Sequence, residues 1–173
     1  MKELIEALQN IVPGYARDIR LNVSSVMNAQ GIDSEADAPY IALASAVASG
    51  NHKVIDLIGS FLSNEVDKNA AFIAASVMIQ NNYWYSFIES MGDIDLTNLP
   101  AGLRMNALSE HGGTEMTKFE GYSLAASIIG KCKPCIKSHY KALKDSGYTT
   151  EQLRNIGRIA VTINTICRLV PVN

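Results

Sequence analysis

The sequence predicts an all-α protein. Apolar residues recur at steps of three and four positions, helix-capping and helix-breaking residues separate these segments, and no segment shows the alternation typical of strands bounded by turns. The chain has 173 residues, of which 47% are hydrophobic and 18% charged. This length and composition predict a single globular domain, residues 1–173, with a sizeable core.

The first two helices are predicted from apolar spacing. Residues 2–9 form a short helix, and a second helix starts at Pro13 and covers 13–28. A loop follows at residues 30–34. The core-facing stripe of the second helix consists of apolar residues at i+4 steps, namely Tyr15, Ile19, Val23 and Met27.

The next three helices have clear boundary signals. Residues 37–49 are apolar nearly all round, which is typical of a helix buried on more than one side, and they end at Gly50. A short helix covers 52–62. Asn64 then caps a longer helix that runs to Asn81 or beyond.

The C-terminal half begins with a loop at 92–100 and a short helix at 103–108, with Leu103, Met105 and Leu108 as its apolar residues. His111-Gly112-Gly113 ends it, and Thr114 is expected to cap a helix over 115–129.

Two further helices complete the chain. One covers 132–146, and the last begins after Thr149 and Gln152, which match the pattern of a capping box. Cys167 lies on the apolar stripe of this last helix. It is therefore predicted to be a buried free thiol.

A faint internal repeat relates two helical halves, about 1–90 and 91–173. The run at 43–48 resembles the run at 124–129, and each precedes a glycine break and a second helix. The sequence therefore predicts a duplicated helical unit within the single domain, with cysteines in the second copy only.

The chemistry is concentrated between Gly130 and His139, in the segment Gly-Lys-Cys-Lys-Pro-Cys-Ile-Lys-Ser-His. Cys132 and Cys135 are three positions apart and His139 follows by four, so on a helix all three share one face. The helix is expected to begin near Cys132, because Pro134 suits only a first turn. The helix dipole there favours a thiolate, and a base one turn away can take a thiol proton. The pattern predicts a redox-active thiol pair with an adjacent acid/base group.

Other uses of the cysteines stay open. A zinc ion could take Cys132, Cys135 and His139, with Cys167 as a fourth ligand, although the second ligand pair typical of structural zinc is missing. A structural disulfide is disfavoured in a chain that begins with no secretion signal. A thioredoxin needs a βαβ context around its C-x-x-C, which the all-α prediction excludes. The redox pair is preferred, and no bound metal is expected.

Glu120 lies on the helix that precedes the motif. If the two helices pack together, its carboxylate can approach His139, fix the histidine tautomer and stabilise the imidazolium. A solvated surface charge is the alternative. His111 is expected in a loop and His52 at a helix start, and neither has a predicted partner.

Composition excludes several classes of function. A net charge of −2 offers no basic face to a nucleic acid. The N-terminus is no signal peptide, and no apolar run reaches the length of a membrane span. We therefore expect a soluble, cytoplasmic protein. The apolar surface of 42–48 and Tyr83-Trp84-Tyr85 exceeds what one domain of this size buries, which predicts an oligomer.

The constellation Glu120…Cys132-x-x-Cys135-x-x-x-His139 resembles the alkyl hydroperoxidase D family, within the carboxymuconolactone decarboxylase-like superfamily. The likeness extends in order along nearly the whole chain, through segments at 15–22, 81–82 and 102–106. It implies an all-α fold of two similar halves that assembles as a homotrimer.

The resemblance also implies an enzyme that reduces organic hydroperoxides and re-reduces a peroxiredoxin of the alkyl hydroperoxide reductase type. It implies no bound cofactor: electrons come from a dihydrolipoyl protein, a lipoylated acyltransferase subunit served by dihydrolipoamide dehydrogenase. By position, Cys135 matches the peroxide-reacting thiol and Cys132 its partner in a redox-active disulfide. Glu120 and His139 match the proton relay. The best-known members carry a histidine where this chain has Pro134, so the relay rests on these two residues.

The residue pattern alone gives two opposing arguments about which of the two thiols reacts first with peroxide. The dipole favours ionisation of Cys132, whereas His139 can activate Cys135 directly. Contact with His139 favours Cys135 as the attacking thiolate, which leaves Cys132, at the expected exposed helix start, to meet an incoming dithiol. A non-redox decarboxylase-like or binding member of the same superfamily, which needs no C-x-x-C pair, is the alternative function.

Overall fold

The computed structural model describes residues 1–32 and 37–171, without the side chain of Leu108. Within these residues the chain forms nine α-helices, two 3-10 turns and no β-strand, which confirms the predicted all-α class. The helices are α1 (Lys2–Ile11), α2 (Arg17–Met27), α3 (Ala38–Ser49), α4 (His52–Ser60), α5 (Glu65–Met91), α6 (Ile94–Asn98), α7 (Met116–Gly130), α8 (Lys133–Asp145) and α9 (Thr150–Leu169). The 3-10 turns are Asn106–Leu108 and His111–Gly113. No helix in the described ranges is long and apolar enough to cross a membrane.

Two helices rich in apolar and small residues, α3 and α7, form the centre of the molecule. Residues 38–46 of α3 and 121–127 of α7 are buried without interruption. α3 and α7 pack against each other, and each also contacts α5 and α9. Burial on all sides explains why these helices are apolar nearly all round, as predicted for 37–49.

The second half of the described chain repeats local features of the first. α3 and α7 are each followed by a residue in the left-handed conformation, Gly50 (φ 78°) and Lys131 (φ 57°). The next residue then caps a second helix: the side chains of Asn51 and Cys132 each accept a hydrogen bond from the backbone N–H three residues later. This correspondence supports the duplication of two helical halves, which stays a prediction.

The start of the second helix was predicted too early. The N–H of Ala16 donates to the carbonyl of Pro13 at 2.9 Å, which closes a turn, and the helix begins only at Arg17. Tyr15 therefore lies outside the helix and is 80% exposed, so its place in the core-facing stripe was wrong. The rest of the stripe packs in or against the core: Ile19, Val23 and Met27.

The middle of the chain also differs from the prediction. The expected loop at 92–100 contains the short helix α6, and the helix expected at 103–108 is reduced to the turn Asn106–Leu108. Thr114 does not cap α7: the N-cap position is Glu115, and the Thr114 hydroxyl donates to the carboxylate of Asp67 at 2.5 Å. The predicted loop at 30–34 lies partly outside the described residues, and so does the apolar side chain predicted at position 108.

Candidate active site

The motif segment forms the junction between α7 and α8. Lys131 turns the chain, Cys132 is the N-cap of α8, and Pro134 lies in the first turn of that helix, as its preference for this position predicted. The Sγ atom of Cys132 accepts a hydrogen bond from the backbone N–H of Cys135 at 3.3 Å. Both cysteines thus lie at the positive end of the α8 dipole, which favours thiolates in the reduced protein.

Cys132 and Cys135 are joined by a disulfide, with their Cα atoms 5.3 Å apart. Cys132 is 1% exposed and Cys135 is 6% exposed. The expectation that Cys132 is the exposed thiol was therefore wrong. A capping side chain folds over the first turn of its helix, so the sulfur of Cys132 points inward rather than to solvent.

The structure brings Glu120 and His139 together. Glu120 comes from α7 and His139 from α8, and the distance from His139 Nδ1 to Glu120 Oε2 is 2.7 Å. Both side chains are largely shielded, with 13% of His139 and 21% of Glu120 exposed. In the neutral histidine this bond makes Nδ1 the protonated nitrogen and leaves the lone pair on Nε2. Glu120 is thus not a free surface charge.

His139 and Cys135 line one cleft of about 400 Å³, within the range of small-molecule sites. Its residues come from α5, from α8 and from the segment before the 3-10 turns. They are Met78, Asn81, Tyr85, Met105, Pro134, Cys135, Ser138 and His139. The Nε2 atom of His139 lies 3.1 Å from the sulfur of Met78. Most of this lining is apolar, so the cleft can hold an organic molecule beside the sulfur of Cys135.

The α5 side of the cleft was missed from the sequence. Met78, Asn81 and Tyr85 recur at helical spacing, but so do other residues of this 27-residue helix. The family likeness marked the stretch 81–82, but nothing in the sequence showed which face of the helix meets α8.

Close packing between α5 and the end of α7 holds the motif in place. The side-chain amide of Asn82 donates to the carbonyl of Ala126 at 3.1 Å. A Cβ atom on Gly130 would lie 2.0 Å from Nδ2 of Asn82. α7 ends at Gly130, as expected for a helix-breaking glycine before the motif. Asn82 fills the space beside Gly130, so a side chain at position 130 would clash with it and destabilise the fold.

The remaining cysteine and histidines do not join the site. Cys167 is buried in the core, as predicted, and burial raises the pKa of its thiol to about 12. His111 packs against Phe119 in a tilted arrangement with 5.8 Å between ring centroids, and His52 begins α4. In the described part of the chain, no group of three or more His, Cys, Asp and Glu side chains is arranged to hold a metal ion.

The sequence matches known proteins over nearly its whole length. Residues 95–170, which include both motif cysteines, Glu120 and His139, match the carboxymuconolactone decarboxylase family. The chain is 32% identical to alkyl hydroperoxide reductase AhpD of Coxiella burnetii, over 96% of each chain. It is 36% identical to the AhpD protein of Maricaulis maris over 96% of each chain, and 37% identical to that of Gluconacetobacter diazotrophicus over 94% of this chain and 90% of the relative. The chain therefore belongs to the AhpD group of the carboxymuconolactone decarboxylase family.

Proposed function

We propose that this protein is a thiol-dependent alkyl hydroperoxide reductase, an oxidoreductase that works through Cys132 and Cys135. The observation that carries the proposal is the placement of Cys135 in one cleft with His139, whose Nδ1 lies 2.7 Å from the carboxylate of Glu120. The name of the relatives, alkyl hydroperoxide reductase, supports the same activity.

The oxidative half of the reaction starts from the dithiol. Nε2 of His139 takes the thiol proton of Cys135, and Glu120 stabilises the resulting imidazolium. The thiolate attacks the terminal oxygen of the hydroperoxide, so that an S–O bond forms and the O–O bond breaks. The departing alkoxide takes a proton to leave as an alcohol, and Cys135 becomes a sulfenic acid. The thiol of Cys132 then displaces water, which yields the disulfide present in the structure.

The reductive half returns two electrons through thiol–disulfide exchange, and the protein needs no bound cofactor for it. In our proposal the donor is a dihydrolipoyl protein, a lipoylated acyltransferase subunit kept reduced by dihydrolipoamide dehydrogenase. Because Cys135 lines the cleft, its sulfur is the one that an incoming dithiol meets. The regenerated dithiol also re-reduces a partner peroxiredoxin of the alkyl hydroperoxide reductase type.

The lining of the cleft favours organic hydroperoxides as substrates. Met78, Met105 and Pro134 offer apolar contacts beside Cys135. An alkyl chain that leaves water for such a surface gains roughly 25 cal/mol per Å² buried. Hydrogen peroxide has no apolar surface to bury and gains nothing from this wall.

A steady-state assay with a dihydrolipoyl protein as donor and an organic hydroperoxide as acceptor tests the proposal. We expect turnover by the wild type and none by Cys135→Ser. Cys167→Ala is the matched control, because it removes a thiol that lies in the core, and it should retain activity. Absence of turnover in the wild type with both the donor and a peroxiredoxin supplied would favour the alternative, a non-redox decarboxylase-like or binding member of the family.

A further inference from the structure

One buried amide on the cleft wall has no partner. Asn81 is 6% exposed, and its side chain makes no hydrogen bond to any residue that the structure describes. The polar atoms of its amide are not among those sealed off from solvent without a partner, so the amide is reached through an opening at the protein surface. Asn81 lines the same cleft as Cys135 and His139. Its amide is therefore free to bind a molecule that enters the cleft.

The neighbouring asparagine shows what a structural amide looks like on this helix. Asn82 is also buried, but its Nδ2 is already used as a donor to the carbonyl of Ala126, its Oδ1 is sealed in the interior without a partner, and its side chain packs against Gly130. Successive residues of a helix point about 100° apart, as 3.6 residues per turn requires. α5 thus directs Asn82 toward α7 and Asn81 toward the cleft.

Asn81 is also the donor that suits the proposed reaction best. Tyr85 and Ser138 carry hydroxyl groups at the cleft, but both residues are exposed, so water satisfies them. Charge develops in the cleft when the O–O bond breaks and its electron pair moves to the alkyl-bearing oxygen. A buried, neutral N–H donor is suited to stabilise an oxyanion at that moment without neutralising the attacking thiolate.

We propose that Asn81 is a catalytic residue whose Nδ2–H donates a hydrogen bond to the hydroperoxide oxygen that leaves as the alkoxide. This rests on the proposed function. In the step, the Cys135 thiolate gains the terminal OH of the hydroperoxide, and the alkoxide takes the proton that His139 had removed from the thiol. The sum is thiol plus hydroperoxide giving sulfenic acid plus alcohol.

The test separates loss of the donor from damage to the thiol. Asn81→Leu has nearly the same size but no N–H group. We expect the rate of sulfenic acid formation with tert-butyl hydroperoxide to fall about 100-fold, the scale of a lost oxyanion donor. Alkylation of Cys135 by iodoacetamide should stay within about two-fold of wild type, because iodide leaves without needing a hydrogen bond. Asn81→Ser keeps a donor and should be intermediate.

Asn82→Ser is the matched control. It should lower the thermal unfolding midpoint while the ratio of the peroxide rate to the alkylation rate stays at the wild-type value.

Wild-type rates of both reactions in Asn81→Leu would overturn the inference and leave Asn81 as a water ligand. An equal fall in both rates would assign it a structural role and overturn it as well. If Asn81→Leu does not fold, the ratio of the peroxide rate to the alkylation rate in Asn81→Ser tests the inference instead. Failure of the wild type to react with peroxide refutes the proposed function instead.

Discussion

The two cysteines of the disulfide have different surroundings, and these predict different roles. Cys135 lines the cleft one helical turn from His139, whereas Cys132 is buried at the cap of α8. After one equivalent of peroxide, Cys132→Ser should accumulate sulfenic acid on Cys135, because no resolving thiol remains. Cys135→Ser should react slowly or not at all. Dimedone trapping followed by mass spectrometry shows which cysteine carries the sulfenic acid in each variant. Rapid sulfenic acid formation on Cys132 would show that the helix dipole outweighs the histidine.

Glu120 acts through His139 in the proposed relay. Glu120→Gln keeps the size of the side chain but removes the charge that stabilises the imidazolium. We expect the reaction with peroxide to slow roughly 100- to 10,000-fold, the range of general acid–base contributions, with the fold intact. Stopped-flow kinetics measures the reaction rate, and circular dichroism checks the fold. Glu110→Gln removes the same charge at an exposed residue outside the cleft and should have no effect. A Glu120→Gln rate equal to wild type would leave the carboxylate without a catalytic role.

The Cys167 thiol should make the free energy of unfolding depend on pH in the alkaline range. Burial raises the pKa of its thiol from 9.0 to about 12 in the folded protein, so the unfolded chain loses this proton first. The free energy of unfolding should therefore be unaffected by this group below pH 9 and fall as the pH rises from 9 toward 12. Urea unfolding at increasing pH should show a shallower fall for Cys167→Ala. An identical pH dependence in both proteins would contradict this assignment.

The burial of Cys167 also predicts how many thiols react with peroxide. In the reduced, folded protein near neutral pH, peroxide should consume two of the three thiols and spare Cys167.

The contact between α5 and the end of α7 determines where the motif lies. Gly130→Ala places a methyl group within 2.0–2.6 Å of three Asn82 side-chain atoms. We expect a loss of about 1–3 kcal/mol in the free energy of unfolding, the usual cost of overpacking. Gly157→Ala is the control, because its nearest neighbour, Cδ1 of Ile128, would be at 3.8 Å. It should be neutral or stabilising, since alanine favours a helix interior by about 0.5–1 kcal/mol over glycine. Equal stability of the two variants in urea would contradict the packing argument.

Local signals predicted most of the helices, and a long-range contact accompanies one of the errors. Asn64 caps α5, and Thr149 and Gln152 form the predicted capping box at α9, because all these bonds join residues close in sequence. Thr114 instead bonds to Asp67, which lies 47 positions away. A contact over that distance cannot be read from a local pattern.

The same distinction holds for the site. The spacing of Cys132, Cys135 and His139 was readable because all three lie at one helix and its cap. The contact with Glu120 was one of two alternatives in the sequence, and packing of α7 against α8 decides it. Asn81 was not predicted, because nothing local marks which face of α5 forms the cleft.

At the scale of the whole molecule, only one of the two apolar surfaces expected from the sequence is exposed. Residues 42–46 are buried within the chain, since α3 lies between other helices, so they offer no excess surface. The aromatic cluster at 83–85, by contrast, is not packed in the core. It begins an apolar arm formed by the second half of α5 and by α6, which has no buried residue of its own. The exposed members are Tyr83, Tyr85, Phe87, Met91, Ile94 and Leu99.

This arm predicts that the protein is an oligomer, because several large apolar side chains exposed on one segment are typical of a protein–protein contact. The number three comes from the family likeness alone. Light scattering at micromolar concentration should give a mass well above the 18.8 kDa of one chain, about three times that value if the likeness holds. Met91→Glu should lower the mass, since it places a charge in the arm. Leu21→Glu is the matched control: Leu21 is 57% exposed and Met91 56%, but Leu21 lies on α2, away from the arm. A monomer mass for the wild type would refute the prediction, and dissociation by Leu21→Glu alone would place the interface elsewhere.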